Sequence, residues 1–228
     1  MSPSRNAQRA LIAVLAVAGA ATLFITEDAR EPSGPLPIDS RILSISVDHR
    51  TAGLVGAARW TSHLGDPATL VGLALAATAW IWFRPRSIVE AVVPLIALFG
   101  AATIEFTMKR VIGRPRPPLA YHLIREADPS FPSGHATGSA AFFVTLAIVA
   151  GLHFRRQWVR VMLIVAAAVV SALIGMSRVV LGVHWVTDIT AGWFLGLACA
   201  AGASLVAFSF ADEHRRIPIA GWLRPDLP

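Results

Sequence analysis

Apolar residues run in long blocks near positions 10–26, 68–83, 88–106, 136–154, 161–176 and 187–210, separated by short polar stretches. About 20 residues at roughly 1.5 Å each are needed to cross some 30 Å of hydrocarbon. The blocks therefore predict six transmembrane helices. The second and fifth are short by this measure, and Trp80, Trp82, Phe83 and Trp158 extend them into the interface. Between the first two blocks, residues 27–67 divide in two. Glu31 to Pro37 is a Pro- and Gly-punctuated linker, whereas Asp39 to Leu64 mixes Ile42, Ile45, Leu54, Val55 and Trp60 with Arg41, Arg50, Arg59 and His63. The second part predicts one or two amphipathic helices at the membrane surface, placed to cover a site on that face. The expected fold is all-α: a six-helix transmembrane bundle with an interfacial helical segment between helices 1 and 2, in a single domain over residues 1–228.

Composition agrees with the pattern. A hydrophobic fraction of 55% and a mean hydropathy of +0.60 exceed what one soluble core of this length requires. The net charge of +6 is spread through short connections, which suits membrane loops and not a nucleic-acid surface. Cys199 is alone, so no disulfide or thiolate metal site can form within the chain. Arginine placement sets the expected orientation. Arg5 and Arg9, Arg84 and Arg86, Arg155, Arg156 and Arg160, and Arg215 and Arg216 all fall on one side of a six-helix path. By the positive-inside rule that side is the cytoplasm, with both termini and the 212–228 tail inside a cell (inner) membrane. The first block is read as an uncleaved anchor, a cleaved signal peptide being the alternative. Segment 27–67, the 107–135 connection and the turn near 177–186 then lie outside.

The 107–135 connection is rich in Lys and Arg against that rule, which points to a task such as holding an anion. Lys109 is the single lysine of the chain. Three clusters share this outer face: Lys109 to Pro117, Pro132-Ser133-Gly134-His135, and Ser177-Arg178 with His184 and Asp188. Phosphate carries charge on several oxygens, and Lys109, Arg116 and Arg178 supply cationic donors for it. Pro115 and Pro117 hold Arg116 on an extended loop, while Arg110 and Arg114 read as surface or lipid contacts. Ser133 and Gly134 open the fourth helix, where free backbone N–H groups suit an anion; Ser133 is expected to be both N-cap and phosphate donor. His135 is placed to protonate a leaving oxygen. His184 and Asp188, four apart at the start of the sixth helix, are expected to share one face, the carboxylate holding one imidazole nitrogen and freeing the other as nucleophile. Glu105, one turn before Lys109, either pairs with it or faces water. Gly192 and Gly196 predict close helix packing. No cluster gathers the carboxylates that a magnesium or two-metal site needs, so no metal and no cofactor are expected.

The three clusters match the signature of the type 2 phosphatidic acid phosphatase family, whose wider superfamily includes vanadium haloperoxidases and glucose-6-phosphatase: KX6RP, PSGH and SRX5HX3D, spanning residues 109–188. The resemblance implies a metal-independent membrane phosphatase. In it His184 attacks phosphorus, Asp188 orients His184, and His135 protonates the departing group before phosphohistidine hydrolysis. The expected substrate is a lipid phosphate or diphosphate, with undecaprenyl diphosphate first because an extracytoplasmic site is where that diphosphate is released. Phosphatidylglycerophosphate, phosphatidic acid and lipid A phosphate are alternatives, as are a lipid phosphotransferase and a non-enzymatic lipid transporter. Membrane lipids are the expected surroundings, no nucleic-acid partner is expected, and the sequence leaves oligomeric state open.

Overall fold

The structure, a computed structural model, describes residues 5–30, 34–82 and 88–216. The Arg84 and Arg86 connection and the end of the tail lie outside them. Helices follow in the order α1 Arg5–Arg30, α2 Pro37–Asp48, α3 Ala52–Leu64, α4 Pro67–Trp82, α5 Ile88–Ile112, α6 Gly134–Gly151, α7 Gln157–Val180 and α8 Val186–Arg216, with a 3-10 turn at Leu119–Tyr121. No strand occurs among the described residues.

Five helices, α1, α5, α6, α7 and α8, are long and apolar enough to cross a membrane. The sixth expected span is different. α4 has 16 residues, and only together with α3, across a 51° bend, does it reach the length and apolarity of a span. The bend is built at Gly65-Asp66-Pro67. A proline at the first position of α4 needs no N–H partner there, and a Cβ at Gly65 would lie 2.4 Å from Ile174.

α6 is the central helix, with α4, α5, α7 and α8 around it, and α1 runs along α8. Its close seam with α8 depends on the two glycines singled out above. A Cβ at Gly196 would sit 2.5 Å from the Thr137 carbonyl oxygen, and one at Gly192 would sit 2.8 Å from that of Ser133. Small residues substitute here for a hydrophobic driving force, which is weak between helices already in lipid.

The amphipathic segment forms the two helices α2 and α3, but it does more than lie on the surface. Leu43 of α2 packs with Val179, Trp185 and Ile189, and Ala58 of α3 packs with Leu181 and Val183. Arg50 donates to the carbonyls of Val180 and Tyr121, at 2.8 and 2.9 Å, and Arg59 donates to that of Leu123. These bonds brace the segment against the α7–α8 turn, leaving Leu54 and Trp60 exposed. That turn passes the 3-10 segment so closely that Gly182, at φ +77°, has no room for a Cβ: one would lie 2.1 Å from the Tyr121 carbonyl oxygen.

The α6–α8 seam yields a direct test. Gly196→Val should destabilise the protein by about 1–3 kcal/mol, the range for overpacking a filled interior. Gly72, with nothing within 4 Å of its Cβ position, is the control. Thermal unfolding in detergent should show a lower midpoint for Gly196→Val and an unchanged or raised one for Gly72→Ala.

Candidate active site

All three clusters meet at one end of the bundle, where α5 and α7 end and α6 and α8 begin. α5 continues past its apolar block to Ile112, so Lys109 sits in its last turn. Gly113, at φ +65°, donates its N–H to the Lys109 carbonyl and ends the helix. The chain then crosses to α6 through a loop that returns over the site. A cavity of about 370 Å³ opens there, lined by Lys109, Arg116, Gly134, His135, Arg178 and His184 together with Gly65, Asp66, Glu105, Glu126 and Asp128. Leu70, Leu98 and Ala102 give it an apolar floor.

His184 is held from both sides of its ring. It does not lie on α8 as its spacing suggested, because the helix begins at Val186 and His184 occupies the turn before it. The contact with Asp188 survives by another route. Asp188 accepts the Trp185 backbone N–H at 2.9 Å, as the third residue of a helix does in a capping box, and this brings its Oδ2 to 3.3 Å from His184 Nδ1. Arg116 Nη1 lies 3.1 Å from His184 Nε2. A guanidinium only donates, so Nε2 must carry its lone pair and Nδ1 its proton, directed at Asp188. His184 is 2% exposed. Burial, helped by Arg116 and Arg178 and opposed by Asp188, pushes its pKa down to about 3. The imidazole is therefore neutral.

The cations are already occupied by carboxylates. Lys109 Nζ donates to Asp128 Oδ2 and to the Pro129 carbonyl, both at 2.6 Å, and lies 3.5 Å from Glu105, the pairing foreseen for that residue. Arg116 donates to Asp128 Oδ1 at 2.7 Å and to the carbonyls of Asp128 and Val183. Arg178 donates to Ser62 Oγ at 2.6 Å and to Glu126. Burial opposes ionisation of Asp128, but the bonds and charge of Lys109 and Arg116 outweigh it and hold its pKa down to about 2.

His135 stands on the first turn of α6 with Nε2 3.0 Å from Asp66 Oδ1, and the other Asp66 oxygen lies 2.9 Å from His63 Nδ1. Each histidine of the site thus has its own carboxylate. Ser133 occupies the N-cap position of α6, yet its side chain makes no capping bond; the fully buried Oγ has no partner among the described residues. Its backbone N–H instead donates to the Asp188 carbonyl at 3.0 Å, joining the starts of α6 and α8. Arg178 Nε is likewise buried without a partner.

The reading of Arg114 is corrected as well. Arg114 is not a surface or lipid contact: it is 6% exposed, bonded to Asp188 Oδ1 at 2.6 Å, to Asp39 Oδ2 at 2.8 Å and to Thr187 Oγ1 at 2.8 Å. The physical reason is that two buried carboxylates cannot remain ionised there without a cation between them. Arg110, over the Phe106 ring at 4.1 Å, does lie at the surface. Sequence reasoning also missed Asp66, Glu126, Asp128 and Asp39. An acidic pair inside an otherwise basic connection was the available signal for Glu126 and Asp128. Asp39 carried none, since it reads as an ordinary first-turn acid of α2.

Comparison with known proteins bears on this geometry. The family model described as the PAP2 superfamily matches residues 90–211, more than half of the chain. Phosphatidylglycerophosphatase B of Bacillus subtilis (strain 168) is 34% identical over 138 residues, a match covering 60% of this chain and 66% of that relative. The putative undecaprenyl-diphosphatase YbjG of Escherichia coli (strain K12) is 32% identical over 145 residues, 62% of this chain and 68% of that one. Among solved structures, a transmembrane PAP2-type phosphatidylglycerolphosphate phosphatase from Bacillus subtilis superposes with a TM-score of 0.78 at 25% identity, over 90% of this chain and 98% of that chain. These relatives are lipid phosphatases, and the apolar helices are those of an integral membrane protein. The chain belongs to the PAP2 superfamily, as one of its membrane phosphatases.

Proposed function

We propose that the protein hydrolyses a lipid phosphate or diphosphate through a phosphohistidine on His184, with undecaprenyl diphosphate as the leading substrate. The observation that carries the reading is the His184 ring itself. It is neutral, held by Asp188 through Nδ1, and its lone pair faces a cavity ringed by Lys109, Arg116 and Arg178. When phosphate enters, the clamp cations leave Asp128 and Glu126 for phosphate oxygens, and Arg116 releases Nε2. Ser133 Oγ and Arg178 Nε, both buried without a partner among the described residues, and the backbone N–H groups opening α6 at Gly134 supply further donors.

Nε2 then attacks phosphorus as the bond to the leaving oxygen breaks, and His135 gives that oxygen its proton. Asp188 stabilises the positive charge arising on His184. Water next attacks the phosphohistidine, its proton passes to His135, the P–N bond breaks and phosphate departs. For a diphosphate the leaving group is the lipid monophosphate. The arginine distribution supports a site facing outward with both termini in the cytoplasm of a cell (inner) membrane. Outward placement and the named activity of one relative favour undecaprenyl diphosphate, while another relative favours phosphatidylglycerophosphate. Phosphate release from a panel of purified lipid phosphates, compared as kcat/KM, separates these from phosphatidic acid and lipid A phosphate.

His184→Ala should form no acid-labile phosphoenzyme. His135→Ala should lose about 10²- to 10⁴-fold in turnover, the scale of general acid–base catalysis. With an activated leaving group it should accumulate phosphohistidine, because it retains the nucleophile and lacks the base for hydrolysis. Acid quench of radiolabelled enzyme measures both, and acid-labile phosphate on His184→Ala would exchange the roles of the two histidines.

The low His184 pKa gives a pH prediction. An unperturbed histidine titrates near 6.5. Here the imidazole stays neutral down to about pH 3, so the acid limb of kcat/KM should follow the second ionisation of the phosphomonoester, about 6. Substrates with different phosphate pKa values should shift that limb in step, whereas a limb fixed near 6.5 would identify His184 as the titrating group. The sign for stability follows from the same shift. Between about 6.5 and about 3 the unfolded chain binds a proton that the folded one excludes, so this contribution is full above 6.5 and declines as pH falls.

A further inference from the structure

A carboxylate outside all three signature clusters reaches the nucleophile through Arg114 and Asp188. Asp39 of α2 is 0% exposed, and no such group is left ionised in an apolar interior without partners. Its Oδ2 accepts from Arg114 Nη2 at 2.8 Å, and its Oδ1 accepts the Thr187 backbone N–H at 2.9 Å; the Thr187 hydroxyl lies 2.8 and 2.9 Å from the two oxygens. Arg114 Nη1 in turn donates to Asp188 Oδ1, and Asp188 Oδ2 faces His184. The N–H groups of Trp185 and Thr187, both unpaired at the start of α8, are thus taken by Asp188 and Asp39 respectively.

Charge makes the arrangement more than a brace. Arg114 alone would cancel Asp188, leaving no net charge to stabilise an imidazolium at His184. Asp39 on the far side of the guanidinium restores one net negative charge to the trio. Resting on the assignment of His184 as nucleophile, we propose that Asp39 is a positioning residue of the reaction: through Arg114 it fixes Asp188 and offsets the guanidinium, so that Asp188 presents its full charge as His184 becomes positive.

The test is the single-turnover rate of phosphohistidine formation by the full-length protein in detergent, with an activated phosphomonoester. Asp39→Asn keeps the size of the side chain but removes its charge and one of its two acceptor oxygens. It should slow phosphoenzyme formation about 10- to 100-fold, the scale for outer partners that orient a functional histidine, with KM changed less than about threefold. Thr187→Val removes the hydroxyl bonds without changing charge and should stay within about threefold of wild type. Breaking one side of a buried pair can prevent folding, whereas removing both sides is commonly tolerated. The double variant Asp39→Asn/Arg114→Gln, which has the wild-type net charge beside His184, should therefore fold and react within about tenfold of wild type, faster than Asp39→Asn where that variant folds. The proposal is overturned by wild-type rates in Asp39→Asn, by Thr187→Val slowing as much as Asp39→Asn, or by the double variant falling to the level of Asp188→Asn. Absence of any phosphohistidine in the wild-type protein is the separate result that removes the nucleophile assignment itself.

Discussion

The outer end of this bundle is organised by the need to neutralise charges held in an apolar surrounding. Asp188 and Asp39 are fully buried, and Arg178, Arg114 and Lys109 nearly so. An isolated ion in such a place costs several kcal/mol even after relaxation. The structure meets that cost by pairing each group: Asp188 with Arg114 and His184, Asp39 with Arg114 and the α8 N-terminus, and the clamp cations with Asp128 and Glu126. Helix ends are part of the same solution. α6 and α8 begin beside one another with their unpaired N–H groups directed at carboxylates or at the cavity, and the Ser133 to Asp188 main-chain bond holds the two starts together.

The two helices that begin at the site, α6 and α8, are also the most buried of the candidate spans. α6 is mostly buried, whereas α1 and α7 present most of their apolar surface outward. The nucleophile of the proposed reaction must be held to within fractions of an ångström, and the Ser133 to Asp188 main-chain bond ties the start of α8 to that of α6. Gly192 and Gly196 allow α8 to approach α6 closely enough for Asp188 to hold both the Trp185 N–H and the Ser133 N–H, one through its side chain and one through its carbonyl. The broken span of α3 and α4 contributes differently. Its bend at Gly65–Pro67 brings Asp66 under His135, which an unbroken helix would not do.

How far the sequence could be read depended on the kind of signal. Hydropathy blocks reveal spans because length and apolarity are local properties, and six were legible, including the second whose shortness reflects its break. Lys109, Arg116, His135, Arg178, His184 and Asp188 were legible because their spacing is a pattern. Arg114 was misread, since an arginine two residues from a clamp arginine in a basic loop has the same local appearance as a lipid contact. Its burial is decided by Asp39 and Asp188, which lie 75 and 74 positions away in the chain. Ser133 was rightly placed at the helix start but not in its bonding, because capping depends on a side-chain rotamer that the surrounding carboxylates and backbone set. Asp66, Glu126 and Asp128 were missed for the same reason: the partner of a buried charge is a tertiary fact.

The carboxylates in the clamp also define what substrate binding must be in the proposed reaction. Three cations cannot stand together in a cavity of about 370 Å³ without counter-charge, and Glu126 and Asp128 of the adjoining loop supply it. A phosphate entering among them exchanges one set of anionic oxygens for another, and does not add an anion to bare cations. The net electrostatic gain is the difference between two similar arrangements, and much of what holds substrate must come from its apolar part against Leu70, Leu98 and Ala102 and from donors that the loop carboxylates leave unused. Glu126 and Asp128, once displaced, regain water at the mouth of the site, where Asp128 is already half exposed.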